Sequence, residues 1–161
     1  MPELQAAVDA AQEWPVEHVA AAVVGADGTV LASTGDQDRE VQLASVTKML
    51  AAHAVLIAVE EGAVEWDRPA GPEGSTVRHL AAHTSGLSFT DGVVQAAPGT
   101  RRIYSSAGFD VLGETIAAAA GMPFAEYLHL AVCEPLGMSS TRLWGSPAAD
   151  GVSTAADLSR F

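Results

Sequence analysis

The 161-residue sequence is poor in cysteine and lysine, with one residue of each type. A lone cysteine, Cys133, cannot form an internal disulfide, which excludes a small secreted scaffold held together by disulfides. Basic residues are scarce as a group, because 8 Lys and Arg stand against 20 Asp and Glu and leave a net charge of −12. Since such an acidic chain repels phosphate groups, we expect neither a nucleic-acid partner nor binding to an anionic membrane surface.

A long apolar run is also missing. The longest one, residues 49–59, contains His53 and is followed by two glutamates. Because a bilayer crossing needs about 20 apolar residues, this run is typical of a buried helix instead. The N-terminus has neither the basic nor the apolar region of a signal peptide, so we expect a cytoplasmic protein without a membrane partner.

The composition indicates a globular chain, since 48% of the residues are hydrophobic and 17% are charged. A length of 161 residues suits one domain. Hydrophobic periodicity and turn signals predict a β-hairpin over residues 18–32 that turns at Asp27-Gly28. The same signals predict five helices, over residues 3–13, 41–61, 76–82, 106–120 and 123–133.

A sixth helix is predicted at the end of the sequence. Thr154 stands three residues before Asp157, a spacing typical of the first turn of a helix. We expect this helix to be interrupted at Phe161. The chain 1–161 is therefore expected to be part of a larger domain.

Ser45 and Lys48 begin the predicted long helix at an i, i+3 spacing, which places both side chains on one face. An amine beside a serine can take the hydroxyl proton and so turn the oxygen into a nucleophile. The amide of Ser45, in the first turn, is expected to point at an oxyanion. The pattern is also typical of a capping serine followed by a solvated lysine. The position of the chain's one lysine on an apolar helix favours the catalytic interpretation.

Tyr104 is the second candidate for chemistry. It follows the turn-forming segment Pro98-Gly99-Thr100 and lies two residues before the helix predicted over residues 106–120. A nearby ammonium would lower the pKa of the Tyr104 phenol, which could then act as a general base. By itself, the position is more typical of a half-buried core aromatic.

Four segments together carry a resemblance to a known family. They are Ser45-Val-Thr-Lys48, Leu80-Ala-Ala-His83-Thr-Ser-Gly-Leu87, Pro98-Gly-Thr-Arg-Arg-Ile-Tyr104-Ser-Ser-Ala-Gly-Phe109 and Glu134-Pro-Leu-Gly-Met138. Their order and spacing resemble the superfamily of serine beta-lactamases and D-alanyl-D-alanine carboxypeptidases. The resemblance is closest to its class C-like branch, which includes esterases.

The resemblance implies an α/β (α+β) fold in which a helical cluster packs on an antiparallel sheet. It also implies that residues 1–161 hold the N-terminal, helical part of a serine hydrolase domain and only the first strands of its sheet. Ser45 is implied as the acylated nucleophile, Lys48 as its proton partner and Tyr104 as the base. No metal or organic cofactor is implied, and the partner is a small-molecule ester, amide or beta-lactam substrate.

Two departures from the family pattern bear on the substrate. Ser106, the expected substrate-binding residue, stands where the family has asparagine, and a hydroxyl offers fewer hydrogen-bonding groups than an amide. The family's third element, Lys or His followed by Thr or Ser and then Gly, is absent after Tyr104. We expect the strand that carries it to lie outside the chain. Because of Ser106 and the missing signal peptide, we expect an ester or small amide rather than a beta-lactam as substrate.

Other motifs support different chemistry only weakly. His79 and His83 have the i, i+4 spacing of a zinc helix, but the glutamate of that motif is missing. No Gly-x-Ser-x-Gly indicates a Ser-His-Asp hydrolase. The sequence thus predicts a serine hydrolase that acts through an acyl-enzyme. The alternatives are a non-catalytic penicillin-binding or scaffold module that keeps the Ser-x-x-Lys pocket, and a fragment that folds poorly alone.

Overall fold

Helix α2, Thr47–Glu60, lies at the centre of the core in the computed structural model, which describes residues 2–161. Its side chains at Leu50, Ala54 and Val55 are almost completely buried. They are covered by helix α4 (Ser106–Ala120) and by two consecutive elements, helix α5 (Phe124–Leu128) and a π-helical turn (His129–Cys133). This burial explains why the helix is apolar on more than one face.

The other helices lie in the regions that the sequence signals predict, with differences at some of their ends. They are α1 Pro2–Asp9, α3 Val77–Ala81, α4 Ser106–Ala120, α5 Phe124–Leu128, the π-helical turn His129–Cys133 and α6 Ala155–Leu158. The side chain of Ser105 caps α4 by accepting from the amide of Gly108 at 2.8 Å. Gly121 ends the same helix in the left-handed conformation, with a φ of 71°, which glycine adopts readily because it has no Cβ.

The strands form two small antiparallel sheets. In the first sheet, β1 Ala21–Val24 pairs with β2 Val30–Thr34, which confirms the predicted hairpin, and α1 packs against β2. The second sheet has the order β3-β5-β4, with β3 Val41–Gln42, β4 Arg142–Leu143 and β5 Gly151–Ser153. The predicted combination of helices and antiparallel sheet is therefore confirmed.

Two predicted helix boundaries are wrong. Residues 41–42 form β3 instead of the start of the long helix, and a 3₁₀ turn, Ala44–Val46, separates them from α2. The N-terminal α-helix ends at Asp9 and continues as a 3₁₀ turn to Glu13. Helix α6 begins directly after the cap predicted at Thr154 and spans Ala155–Leu158.

The physical reason for the first error lies in backbone geometry and long-range pairing. Ala44 has a φ of 45°, which a right-handed helix does not allow. Val41 and Gln42 pair with Ser153 and Val152 of β5. Since that partner strand lies more than 100 positions away, local periodicity carries no trace of it.

Over residues 2–161, no single helix combines the length and the apolar composition that a membrane crossing requires. The segments Ser106–Ala120 and Phe124–Cys133 have that length and composition only when they are taken together, and they meet at a bend of 81°.

Candidate active site

Ser45 is presented by the 3₁₀ turn that precedes α2. Leu43, buried in the core, anchors the start of this turn by donating its amide to the carbonyl of Gly151 at 2.8 Å. Ala44 then takes the left-handed conformation, which is unusual for a residue with a Cβ. The reversal leaves the side chain of Ser45 exposed at the N-terminal end of α2. The chain thus holds one strained residue directly before its candidate nucleophile.

Lys48 is buried, with 5% of its surface exposed, and its ammonium is surrounded by oxygen atoms. Its Nζ lies 3.3 Å from the Oγ of Ser45 and 3.1 Å from the Oγ of Ser106. The third contact, at 2.8 Å, is to the backbone carbonyl of Ala148. These three acceptors match the three N–H donors of an ammonium group. The first two contacts join residues that the sequence proposes as a site, whereas Ala148 was not predicted.

Tyr104 borders the same group. Its ring centroid lies 4.8 Å from the Nζ of Lys48. The pKa of the Tyr104 phenol lies below its ordinary value, chiefly because the hydroxyl of Ser45 hydrogen-bonds the phenolate and further because Lys48 does so and is positively charged. A phenol of this kind, 40% exposed beside the candidate nucleophile, is suited to accept a proton.

His83 fixes the backbone on both sides of Tyr104. Its carbonyl accepts from the amide of Ile103 at 2.8 Å, and its Nδ1 accepts from the amide of Ser105 at 3.1 Å. The imidazole also packs against the Tyr104 ring, with 4.6 Å between centroids. His83 itself has a φ of 60°. The sequence identifies His83 only as part of a recurring motif and does not show that it borders the site.

The Nδ1 of His83 must carry no proton in order to accept the hydrogen bond from the amide of Ser105. Burial, and to a smaller extent the positive charges of Arg102 and Lys48, lower its pKa below the ordinary value. The neutral tautomer with its proton on Nε2 is therefore the form that suits the observed contacts.

An exposed apolar residue adjoins Tyr104. Phe89 stacks on the ring of Tyr104 with 5.9 Å between centroids and an angle of 24°. Its carbonyl accepts from the amide of Ser106 at 2.7 Å, which ties it to the start of α4. The Phe89 ring is 53% exposed. The site thus offers an apolar surface next to its polar groups.

The remaining candidates lie apart from these groups or point elsewhere. The Nδ1 of His79 pairs with the hydroxyl of Thr76, whereas the Nδ1 of His83 faces Ser105, so the two histidines do not converge. Over residues 2–161 no three His, Cys, Asp or Glu side chains are grouped to hold a metal ion. A cleft of about 400 Å³ lies between residues 12–20, residues 35–41 and α6, away from Ser45.

Comparisons with known proteins give a consistent result. A model of the beta-lactamase family matches residues 9–161. The crystal structure of a beta-lactamase from Mycobacterium bovis is 53% identical and superimposes with a TM-score of 0.94 over 96% of this chain and 58% of its own. Esterase EstB of Burkholderia gladioli is 32% identical in a match that covers 63% of this chain and 38% of the esterase.

A further relative is the D-alanyl-D-alanine-carboxypeptidase/endopeptidase AmpH of Escherichia coli, which is 26% identical over the matched part. The match covers 68% of this chain and 38% of AmpH. The chain thus spans well under two thirds of the length of each of these three relatives.

Proposed function

The chain belongs to the beta-lactamase family, which confirms the resemblance seen in its sequence, and on that premise we propose that it is a serine hydrolase that acts through an acyl-enzyme on Ser45. One observation carries the proposal. The only lysine of the chain is buried with its Nζ 3.3 Å from the hydroxyl of Ser45. An exposed serine beside a buried amine and a phenol of lowered pKa has the components that nucleophilic catalysis requires.

The first step forms the acyl-enzyme. Tyr104, in its phenolate form, takes the proton of the Ser45 hydroxyl, while the ammonium of Lys48 stabilises the negative charge that moves between the two oxygens. The Oγ of Ser45 bonds to the substrate carbonyl carbon, and the carbonyl oxygen becomes an oxyanion. When this intermediate collapses, the bond to the leaving group breaks, and the Tyr104 phenol returns its proton to that group.

The second step releases the acid. A water molecule gives a proton to the Tyr104 phenolate, and the resulting hydroxide bonds to the acyl carbon. Collapse then breaks the bond to the Oγ of Ser45, which recovers its proton from Tyr104. The backbone amide of Ser45 is one donor to the oxyanion in both steps, because the 3₁₀ turn places it at the start of α2.

We assign an ester or small amide, rather than a beta-lactam, as the substrate. Ser106 supports this choice, because its hydroxyl is already 3.1 Å from Lys48 and is shorter than an asparagine side chain, so it has less reach toward an acylamino group. The exposed ring of Phe89 next to Tyr104 suits an apolar substituent. An esterase and a carboxypeptidase are among the relatives.

A non-catalytic penicillin-binding or scaffold module is the second candidate. It is favoured by the open surroundings of Ser45, which is exposed and does not line the 400 Å³ cleft. A binder of this kind would form the acyl-enzyme but fail to release it.

Intact-mass measurements with an activated ester and a fluorescent penicillin separate the two candidates. We expect the 161-residue chain to gain one acyl group in a burst and then to turn over the ester steadily. An adduct that persists would instead support the binder. The control is Ser139→Ala, which removes another exposed serine and is expected to change nothing. No adduct, or an adduct that survives in Ser45→Ala, would contradict both candidates.

A further inference from the structure

Residues 144–150, here named the Ala148 loop, form a compact turn between β4 and β5. The amide of Ser146 donates to the Oδ2 of Asp150 at 2.7 Å, and the Oγ of Ser146 accepts from the amide of Ala148 at 3.0 Å. The amide of Asp150 returns to the carbonyl of Ser146 at 2.9 Å. Ser146 is therefore the centre of the hydrogen bonds that shape this loop.

Helix α4 holds the Ala148 loop from one side. The carboxylate of Asp110 accepts a hydrogen bond from the Oγ of Ser146. One turn further along the helix, Gly113 lies so close to Pro147 that an added Cβ would be 2.8 Å from the Cγ of that proline. Two neighbouring turns of α4 thus contact two consecutive residues of the loop.

The C-terminal end of the loop is attached to α2. The amide of Gly151 donates to the Oγ1 of Thr47 at 3.0 Å, and Thr47 directly precedes Lys48. Between these two attachments, Ala148 is buried, and its carbonyl reaches the Nζ of Lys48 at 2.8 Å. This is the shortest of the three contacts of the ammonium.

We propose that Asp110 is a positioning residue for Lys48, acting through Ser146 and the backbone carbonyl of Ala148. The chain of contacts runs from the Asp110 carboxylate to the Ser146 hydroxyl, from there to the Ala148 amide, and across that residue to its carbonyl. It keeps one N–H of the ammonium occupied, so that the other two point at Ser45 and Ser106. The value of this arrangement for catalysis rests on the function proposed above.

The experiment uses the fact that the chain has a single lysine. When the protein is labelled with ¹⁵N-lysine, its NMR spectrum in slightly acidic buffer contains one side-chain ammonium signal, that of Lys48. The hydrogen-exchange rate of this ammonium reports whether its three hydrogen bonds are held. We expect a protected signal in the wild type and an exchange rate about tenfold higher in Asp110→Ala, the change that corresponds to one charge-assisted hydrogen bond. Asp110→Asn keeps an acceptor for Ser146 and is expected to retain most of the protection.

The matched control is Glu114→Ala, which removes an exposed carboxylate one turn further along α4, outside this network. It changes the net charge equally and is expected to leave the signal unchanged. If Asp110→Ala does not fold, Ser146→Ala breaks the same connection from the loop side. Equal exchange in the wild type and in the folded Asp110→Ala or Ser146→Ala chain would overturn the assignment, and so would an unprotected wild-type signal.

Acylation of the same samples keeps this inference separate from the proposed function. We expect Asp110→Ala to be acylated about tenfold more slowly than the wild type, with Asp110→Asn restoring most of the rate. A wild-type chain that protects Lys48 in an Asp110-dependent manner but is not acylated would support the positioning assignment and contradict the proposed function.

Discussion

Replacing His83 tests how Tyr104, the proposed base, is held in place. In His83→Leu the amide of Ser105 loses its acceptor, and Ser105 is 1% exposed, so water cannot replace the lost bond. A buried donor left without a partner costs about 1–3 kcal/mol. For a chain of this size, a loss of about 2 kcal/mol corresponds to a decrease of roughly 4–8 °C in Tm. The matched variant is His83→Asn, because its Oδ1 can accept the same bond and asparagine tolerates the left-handed backbone.

The kinetic effect of His83→Leu is expected to exceed its effect on stability. Tyr104 lies between the two amides that His83 holds, and general bases contribute about 10²–10⁴-fold to rates. We therefore expect His83→Leu to lower the acylation rate by at least about tenfold, measured with an activated ester well below the Tm. His83→Asn is expected to recover most of that rate. Equal rates in the wild type and His83→Leu would refute the positioning of Tyr104 by His83.

The same residue predicts a pH dependence. The pKa of His83 is lowered in the folded chain by burial first and by Arg102 and Lys48 next, so the unfolded chain binds this proton more readily. The free energy of unfolding therefore decreases as the pH falls below about 6.5. The decrease ends once the pH has passed the lower pKa of the folded state. Denaturant unfolding of wild type and His83→Asn isolates this contribution, and identical pH dependence would refute it.

Three further predictions concern other parts of the molecule. In a spectrophotometric titration, Tyr104 should ionise below the ordinary pKa of 10.0, and Tyr127 should ionise at about 12 because burial raises its pKa. Tyr104→Phe should remove the ionisation at lower pH. If that ionisation persisted in Tyr104→Phe, its assignment to Tyr104 would be contradicted. Gly151→Ala places a Cβ 2.7 Å from the Oγ1 of Thr47. This substitution should lower the free energy of unfolding by about 1–3 kcal/mol and slow acylation. An unchanged denaturation midpoint would contradict the close packing of Gly151 against Thr47. Thr154→Ala removes the cap of α6 and should cost about 1 kcal/mol in denaturant unfolding, with no effect on acylation.

The parts of the fold that depend on local sequence were predictable. Helix α4 has a capping serine at its start and Gly121 at its end, and the β1–β2 hairpin has its Asp27-Gly28 turn. The Ser45–Lys48 pair could be predicted for the same reason, because an i, i+3 spacing brings two side chains together whenever the local backbone is helical. Local patterns are sufficient for such features.

The features that escaped prediction depend on contacts between distant residues. Strands β3 and β4 are two residues long, and their common partner β5 has three residues, which leaves no alternation to detect. Ala148 contributes a backbone carbonyl to Lys48 across 100 positions, and a backbone acceptor is offered by every residue type. His83 and Tyr104 likewise meet only because the loop between them folds back.

The location of the acyl group on the chain shows whether Ser45 is the nucleophile. After a short reaction with p-nitrophenyl acetate, the protein is quenched in acid and its peptides are analysed by mass spectrometry. We predict one acetyl group on Ser45 in the wild type and none in Ser45→Ala, with a strongly reduced yield in Lys48→Met. An acetyl group found on Lys48 or Tyr104 instead of Ser45, or no acetylation of the wild type at all, would contradict the proposal that Ser45 is the acylated nucleophile.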